Sequence, residues 1–93
     1  MTTTTKKLDR MPYAQACVKC TAETATVILI SYNTIVAELR DGWLTIFGLY
    51  SMTTRKHIGA FMREYCNSTY QFAKQLFEEN IRYNIFTGEI EEI

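Results

Sequence analysis

Between Thr24 and Tyr50 three apolar runs are separated by two turn signals, a spacing that leaves few folds open besides an antiparallel array of strands. Thr24 to Ile30 is dense in β-branched residues (Thr24, Thr26, Val27, Ile28, Ile30), which fit a pleated strand and resist a helix. Ser31 to Thr34 is turn-prone at Asn33, and Ile35, Val36, Ala37 and Leu39 resume the apolar pattern up to Asp41-Gly42, a hairpin signal. The next run, Trp43 to Tyr50, places Trp43, Thr45, Phe47 and Leu49 on one face and Leu44, Ile46, Gly48 and Tyr50 on the other. Both faces are apolar, so this strand is predicted to be central or covered by a second subunit. Gly48 marks a bulge or a close backbone approach.

A helix follows. Ile58, Phe61, Met62, Tyr65 and Cys66 recur at the spacing of one buried stripe, and Ser51, Thr53 or Thr54 can cap its start. Asn67 suits a left-handed residue at its end, and Ser68-x-x-Gln71 reads as a capping box for a second helix with Phe72, Ala73, Leu76 and Phe77 inward. The fold class that follows is α+β: a small antiparallel sheet, about residues 24–50, covered by two helices at about 54–66 and 69–80. Ile81 to Phe86 allows a last short strand before a turn at Thr87-Gly88, and Ile90 and Ile93 are apolar residues with a docking place still to be found. The opening residues 1–10, rich in threonine, are expected to be a frayed tail. Met11 to Cys20 reads as a short helix beginning at Pro12 or an irregular arm, with an edge strand as the alternative.

At 93 residues and 47% hydrophobic, the chain reads as a single domain, residues 1–93, whose core is small enough that a homo-oligomer is expected. The aromatic residues include six tyrosines, and Trp43, Tyr50, Tyr70 and Tyr83 are the candidate interface residues. Ten basic and ten acidic residues balance, which argues against a generally basic nucleic-acid binder. The balance is uneven along the chain: residues 1–63 carry eight Lys and Arg against four acids, and residues 64–93 carry two against six. The N-terminus has no apolar signal segment and the apolar runs are far too short to span a bilayer, so a cytosolic protein without membrane contact is expected.

Cys17-x-x-Cys20 has the spacing of a zinc or redox pair, but Cys66 and His57 sit on opposite sides of one helix and cannot complete a metal site together. Ordinary reduced thiols, with no metal and no cofactor, are the expected reading. His57, the single histidine, follows Ser51 closely enough for a Ser/His pair, yet no orienting acid lies nearby in sequence. The segment Ser51, Thr53, Thr54, Arg55, Lys56 and His57, extended along the helix by Arg63, joins hydroxyls, helix-start amides and cations. That set suits an anion such as a phosphate, a nucleotide or a partner's carboxylate, or serves only to cap and solvate the helix.

The residues Ser31-Tyr32-Asn33-Thr34-Ile35-Val36-Ala37, then Gly48-Leu49-Tyr50-Ser51-Met52-Thr53-Thr54, then His57-Ile58 and Phe61 resemble a family of small uncharacterised phage and prophage proteins. Its pattern reads S-Y-x-T-x-V-A, a hairpin, then G-x-Y-S-x-T-T-x-x-H-I-x-x-F, over about a third of the chain, with no counterpart beyond Asn67. The resemblance implies a viral accessory protein in a host cytosol and attaches no enzymatic activity to it. The function expected is a non-enzymatic inhibitor of a host defence system, anti-CRISPR or another counter-defence. It would act by binding a host effector protein or by sequestering a nucleotide signal between subunits near Thr53 to His57. A small nucleic-acid-binding regulator using the helix from Thr54, with Arg55, Lys56 and Arg63 on phosphates, is the alternative, and a hydrolase using His57 is a third reading.

Overall fold

The computed structural model describes residues 3–9, 11 and 14–93. Met1, Thr2 and Arg10 of the expected tail, and Pro12 and Tyr13 of the expected helix or arm, lie outside the described residues. Seven strands form one antiparallel sheet in strict sequence order: β1 (Thr3–Lys6), β2 (Ala16–Thr21), β3 (Thr26–Ser31), β4 (Thr34–Arg40), β5 (Trp43–Ile46), β6 (Ile81–Asn84) and β7 (Ile90–Glu92). Helices α1 (Met52–Tyr65) and α2 (Tyr70–Glu78) are inserted between β5 and β6, α1 packing on β3 and β4 and α2 on β5 and β6.

The α+β class is observed, and the sheet is larger than the hairpin expected at 24–50. It grows at both ends of the chain. The Thr-rich opening, expected as a tail, pairs as β1 with β2, and Leu8 just beyond it is fully buried. Ala16 to Thr21, expected as part of a helix or arm, is strand β2 and lies between β1 and β3. Isolated threonines and small residues carry no periodicity of their own, but β3 offers them a paired backbone, and Ala16 and Val18 drop onto the core beside Ser31 and Leu29. At the other end β6 pairs with β5, and β7 follows through the turn at Gly88, which has φ +79. Ile90 pairs with Tyr83 and the Ile93 amide donates to the Asn80 carbonyl at 3.1 Å, yet the two residues remain 60% and 61% exposed.

Pairing puts Val18, Leu29, Ala37, Leu39, Leu44 and Ile46 on one side of the sheet. A bulge in β4 shifts the register between Leu29 and Ile30, so that Val36 is the extra residue and both Val36 and Ala37 face the core, each fully buried. Ile58, Phe61 and Met62 of α1 and Leu76 of α2 close the core from above. The strand expected over Trp43 to Tyr50 ends at Ile46. Beyond it, the exposed Tyr50 ring folds over the Gly48 Cα, where a Cβ would push the ring aside.

Asn67 is left-handed, with φ +49, and ends the first helix as expected. The capping box from Ser68 to Gln71 does not form. The Ser68 amide turns back to the Met62 carbonyl at 3.1 Å and still belongs to the end of α1, so Thr69 caps α2, its hydroxyl accepting from the Phe72 amide at 3.4 Å.

Candidate functional site

The start of α1 divides the predicted site residues between two surfaces. Ser51, in extended conformation, caps the helix by accepting from the Thr54 amide at 3.2 Å. Of the candidate caps it is the one used. Thr54 and His57 stand four residues before Ile58 and Phe61 respectively, on the helix's buried stripe, and so point into the protein. A chain of hydrogen bonds runs from Ser51 Oγ to Thr54 Oγ1 at 3.3 Å, on to Ser31 Oγ at 3.0 Å, and ends at His57 Nδ1 at 2.8 Å. With Ser51 as donor the chain runs one way, and a neutral imidazole accepts at its end. Burial favours that state, pushing the His57 pKa below its ordinary value.

A hydroxyl 2.8 Å from an imidazole nitrogen has the spacing of a base-activated nucleophile. Its surroundings do not suit that role. Ser31 is 2% exposed and His57 1%, and no carboxylate enters the chain of bonds described above. The arrangement ties the end of β3 to the first turn of α1.

The cations of the predicted site lie on the other side of the helix. Met52, Arg55, Lys56 and Gly59, with Tyr70 from α2, line a shallow groove of about 360 Å³. Met52 is 72% exposed at one end. Gly59 keeps the floor low, with the Tyr70 Cβ 3.5 Å from where its own side chain would begin. Arg55 Nε and Tyr70 Oη are buried without hydrogen-bond partners among the described residues, and no acid is among the residues lining the groove. Thr53 and Arg63 are exposed, with Arg63 two turns along α1 from Lys56 on the same outward side. The structure therefore brings Arg55 and Lys56 together with Met52 and Tyr70, and separates them from Thr54 and His57.

Two aromatic residues stand at the same end of the molecule in left-handed backbone conformations: Tyr32 at φ +56 and Tyr50 at φ +44, both mostly exposed. Such conformations are uncommon for aromatic residues and are held here by surrounding structure. The Tyr32 amide donates to the Gln15 carbonyl at 2.6 Å, and its ring lies 6.0 Å from that of His57. Of the four residues expected at an interface, Tyr50 is the exposed one. Trp43 lies under the Arg82 guanidinium at 4.5 Å, Tyr83 is packed edge-on against Phe72 on the core side, and Tyr70 is half-buried in the groove.

The cysteines separate as well. Cys20 packs against the core while Cys17, three residues away on a strand, faces the opposite side of the sheet. Cys66 lines a second cavity of about 280 Å³ with Leu44, Asn67, Phe72 and Tyr83, and burial pushes its thiol up to about 11. It is protonated at neutral pH and a poor nucleophile.

Sequence reasoning missed Ser31, Tyr32, Met52 and Gly59. The sign of the inward turn was present in the spacing, since Thr54 and His57 extend the stripe of Ile58 and Phe61 backwards by one turn. The class these observations define is a two-layer α+β domain with a sequential antiparallel sheet. A family model described as a family of unknown function (DUF8033) matches residues 2–79, and the chain belongs to that family. The match runs from β1 through α2, leaving β6 and β7 beyond it. No curated protein and no solved structure matches the chain. No helix among the described residues is long and apolar enough to cross a membrane.

Proposed function

We propose that this protein is a non-enzymatic binding protein whose contact surface is the outer face of α1, and that it takes an acidic protein segment carrying an apolar or aromatic side chain. The groove of Met52, Arg55, Lys56, Gly59 and Tyr70 carries this reading, because an apolar floor, two cations and two buried unpartnered polar atoms meet there. A carboxylate would pair with the Arg55 and Lys56 side chains that line the groove, and a neighbouring apolar side chain would cover Met52. The absence of catalysis is supported by the burial of Ser31 and His57, the chain's one imidazole being committed to a core hydrogen bond. The specific form we propose follows the resemblance to small phage proteins: a cytosolic accessory protein that blocks an effector of host defence.

The test is an NMR titration of ¹⁵N-labelled protein with three probes: acidic peptides containing an aromatic residue, a dinucleotide, and duplex DNA. The amides of Arg55, Lys56, Gly59 and Tyr70 are expected to shift with the peptides, and Arg55→Ala with Lys56→Ala is expected to weaken that binding about tenfold or more. Shifts produced by the dinucleotide or the DNA alone would replace the peptide reading by the nucleotide or nucleic-acid one.

A further inference from the structure

Both helices, together with Leu8, Met11 and Ala14, pack on the core side of the sheet. The opposite side carries no helix among the described residues, and Arg82 of β6 lies over Trp43 there. Cys17 of β2, Ile28 and Ile30 of β3, Ile35 of β4 and Trp43 of β5 point there, in alternation with the buried residues of the same strands, and Ile35 is 48% exposed. Isoleucines at adjacent positions of a sheet face are unusual toward open water, and their arrangement relative to charge says what covers them.

The register places Lys19, Ile28 and Glu38 in one row across β2, β3 and β4, and Cys17, Ile30 and Ile35 in the next. Lys19 and Glu38 thus flank β3 symmetrically, each about 5 Å to one side. We propose that this face binds a second copy of the chain, sheet against sheet, about a twofold axis running along β3. Rotation about that axis lays each β2 over the partner's β4. Lys19 then meets Glu38 of the partner subunit, Cys17 meets the partner's Ile35, and Ile28 and Ile30 stack on their own symmetry mates. A twofold axis across the strands, along the row of Lys19 and Glu38, would instead set lysine over lysine and glutamate over glutamate. The charges select the first arrangement.

The area is sufficient. Seven strands at about 4.8 Å spacing make a sheet about 30 Å wide, consistent with molecular extents of 33 × 32 × 21 Å. A face of that size can bury the roughly 800 Å² per partner of a stable dimer. Aligned sheets pack about 10 Å apart with strands crossing at about 30°, a separation that lysine and glutamate side chains bridge.

The test is sedimentation equilibrium on the wild-type chain, Lys19→Glu, Glu38→Lys and the double variant carrying both. The wild type is expected to dimerise. Each single reversal is expected to raise the dimer dissociation constant about tenfold or more, and the double variant to return to near the wild-type value. Ile35→Arg, at an exposed position, is expected to give a folded monomer by circular dichroism. A wild type that stays monomeric at about 100 µM overturns the proposal. So does a dimer indifferent to the single reversals, or a double variant no tighter than the weaker single. Neither Lys19 nor Glu38 lines the α1 groove, so peptide binding there is expected to be unchanged in these variants.

Discussion

Helix α1 is fastened to the sheet at its two ends by opposite means. Its first turn is held by neutral groups in a closed interior: the hydroxyls of Ser51, Thr54 and Ser31 and the imidazole of His57. Its last turn is held by charge, where the largely buried Glu64 carboxylate accepts from the Asp9 amide at 2.8 Å and pairs with the exposed Lys6 at 3.4 Å, and Lys6 also lies 5.5 Å from the centre of the Tyr65 ring. The first fastening depends on geometry and exclusion of water. The second works because Leu8, between the paired residues, is anchored in the core. An ion pair whose lysine stays in water contributes little by itself, and the buried leucine adds the apolar anchor that keeps the N-terminal segment in place.

The N-terminal fastening is most exposed to disruption at that leucine. Leu8→Ala is expected to cost about 3 kcal/mol in urea unfolding, and to increase hydrogen exchange at the β2 amides that pair with β1. Ser31→Ala strips His57 Nδ1 and Thr54 of their shared partner, and a loss of about 2 kcal/mol is expected in the same measurement, from buried groups left unsatisfied.

Acid and alkali separate the two ends. Burial holds the His57 pKa low, so the unfolded chain binds that proton more readily than the folded one. The stability from neutral His57 is therefore fully present above about pH 6.5 and is lost as the pH falls from there through the folded pKa. Thermal melts of the wild type are expected to fall over that range more steeply than those of His57→Gln. At the other end the neighbouring Tyr65 hydroxyl, with Glu64, raises Lys6, and burial above all pushes Tyr65 up to about 12. Both groups favour protonation in the folded state, so their contribution is intact below about pH 10 and is lost as the pH rises through their folded values. The smallest effect expected is that of Glu64→Gln. Its destabilisation should fall below that of Ser31→Ala and diminish with added salt, whereas the Ser31→Ala effect should not.

The strands and helices that carry their own periodicity were legible in the sequence, and those that depend on a neighbour were not. The β-branched run of β3, the Asp41-Gly42 turn and the stripe of α1 each announce themselves within a few residues. Strands β1 and β2 consist of threonine, alanine, cysteine and lysine with the single valine Val18, and become strands by pairing, β2 with β3 and β1 with β2. Leu8 is one apolar residue in a polar run, and a single residue has no period to read. At the candidate site the residue types were legible but their direction was not. Arg55 and Lys56 lie on the outer side of the helix, whereas Thr54 and His57, beside them in sequence, turn inward. Helical spacing outweighs polarity here, and Ser31, twenty-six residues away in sequence, supplies the partner that makes a buried histidine tolerable.

The strand order has a consequence for how quickly the chain assembles. Every strand pairs with its neighbour in sequence, and the single wide gap, between β5 and β6, is filled by two helices that can form locally. A sheet of this kind can zip outward from the β3–β4 hairpin without waiting for distant segments to meet. Refolding in milliseconds, fast for a seven-stranded sheet, is the kinetic behaviour to expect of so local an order of strands.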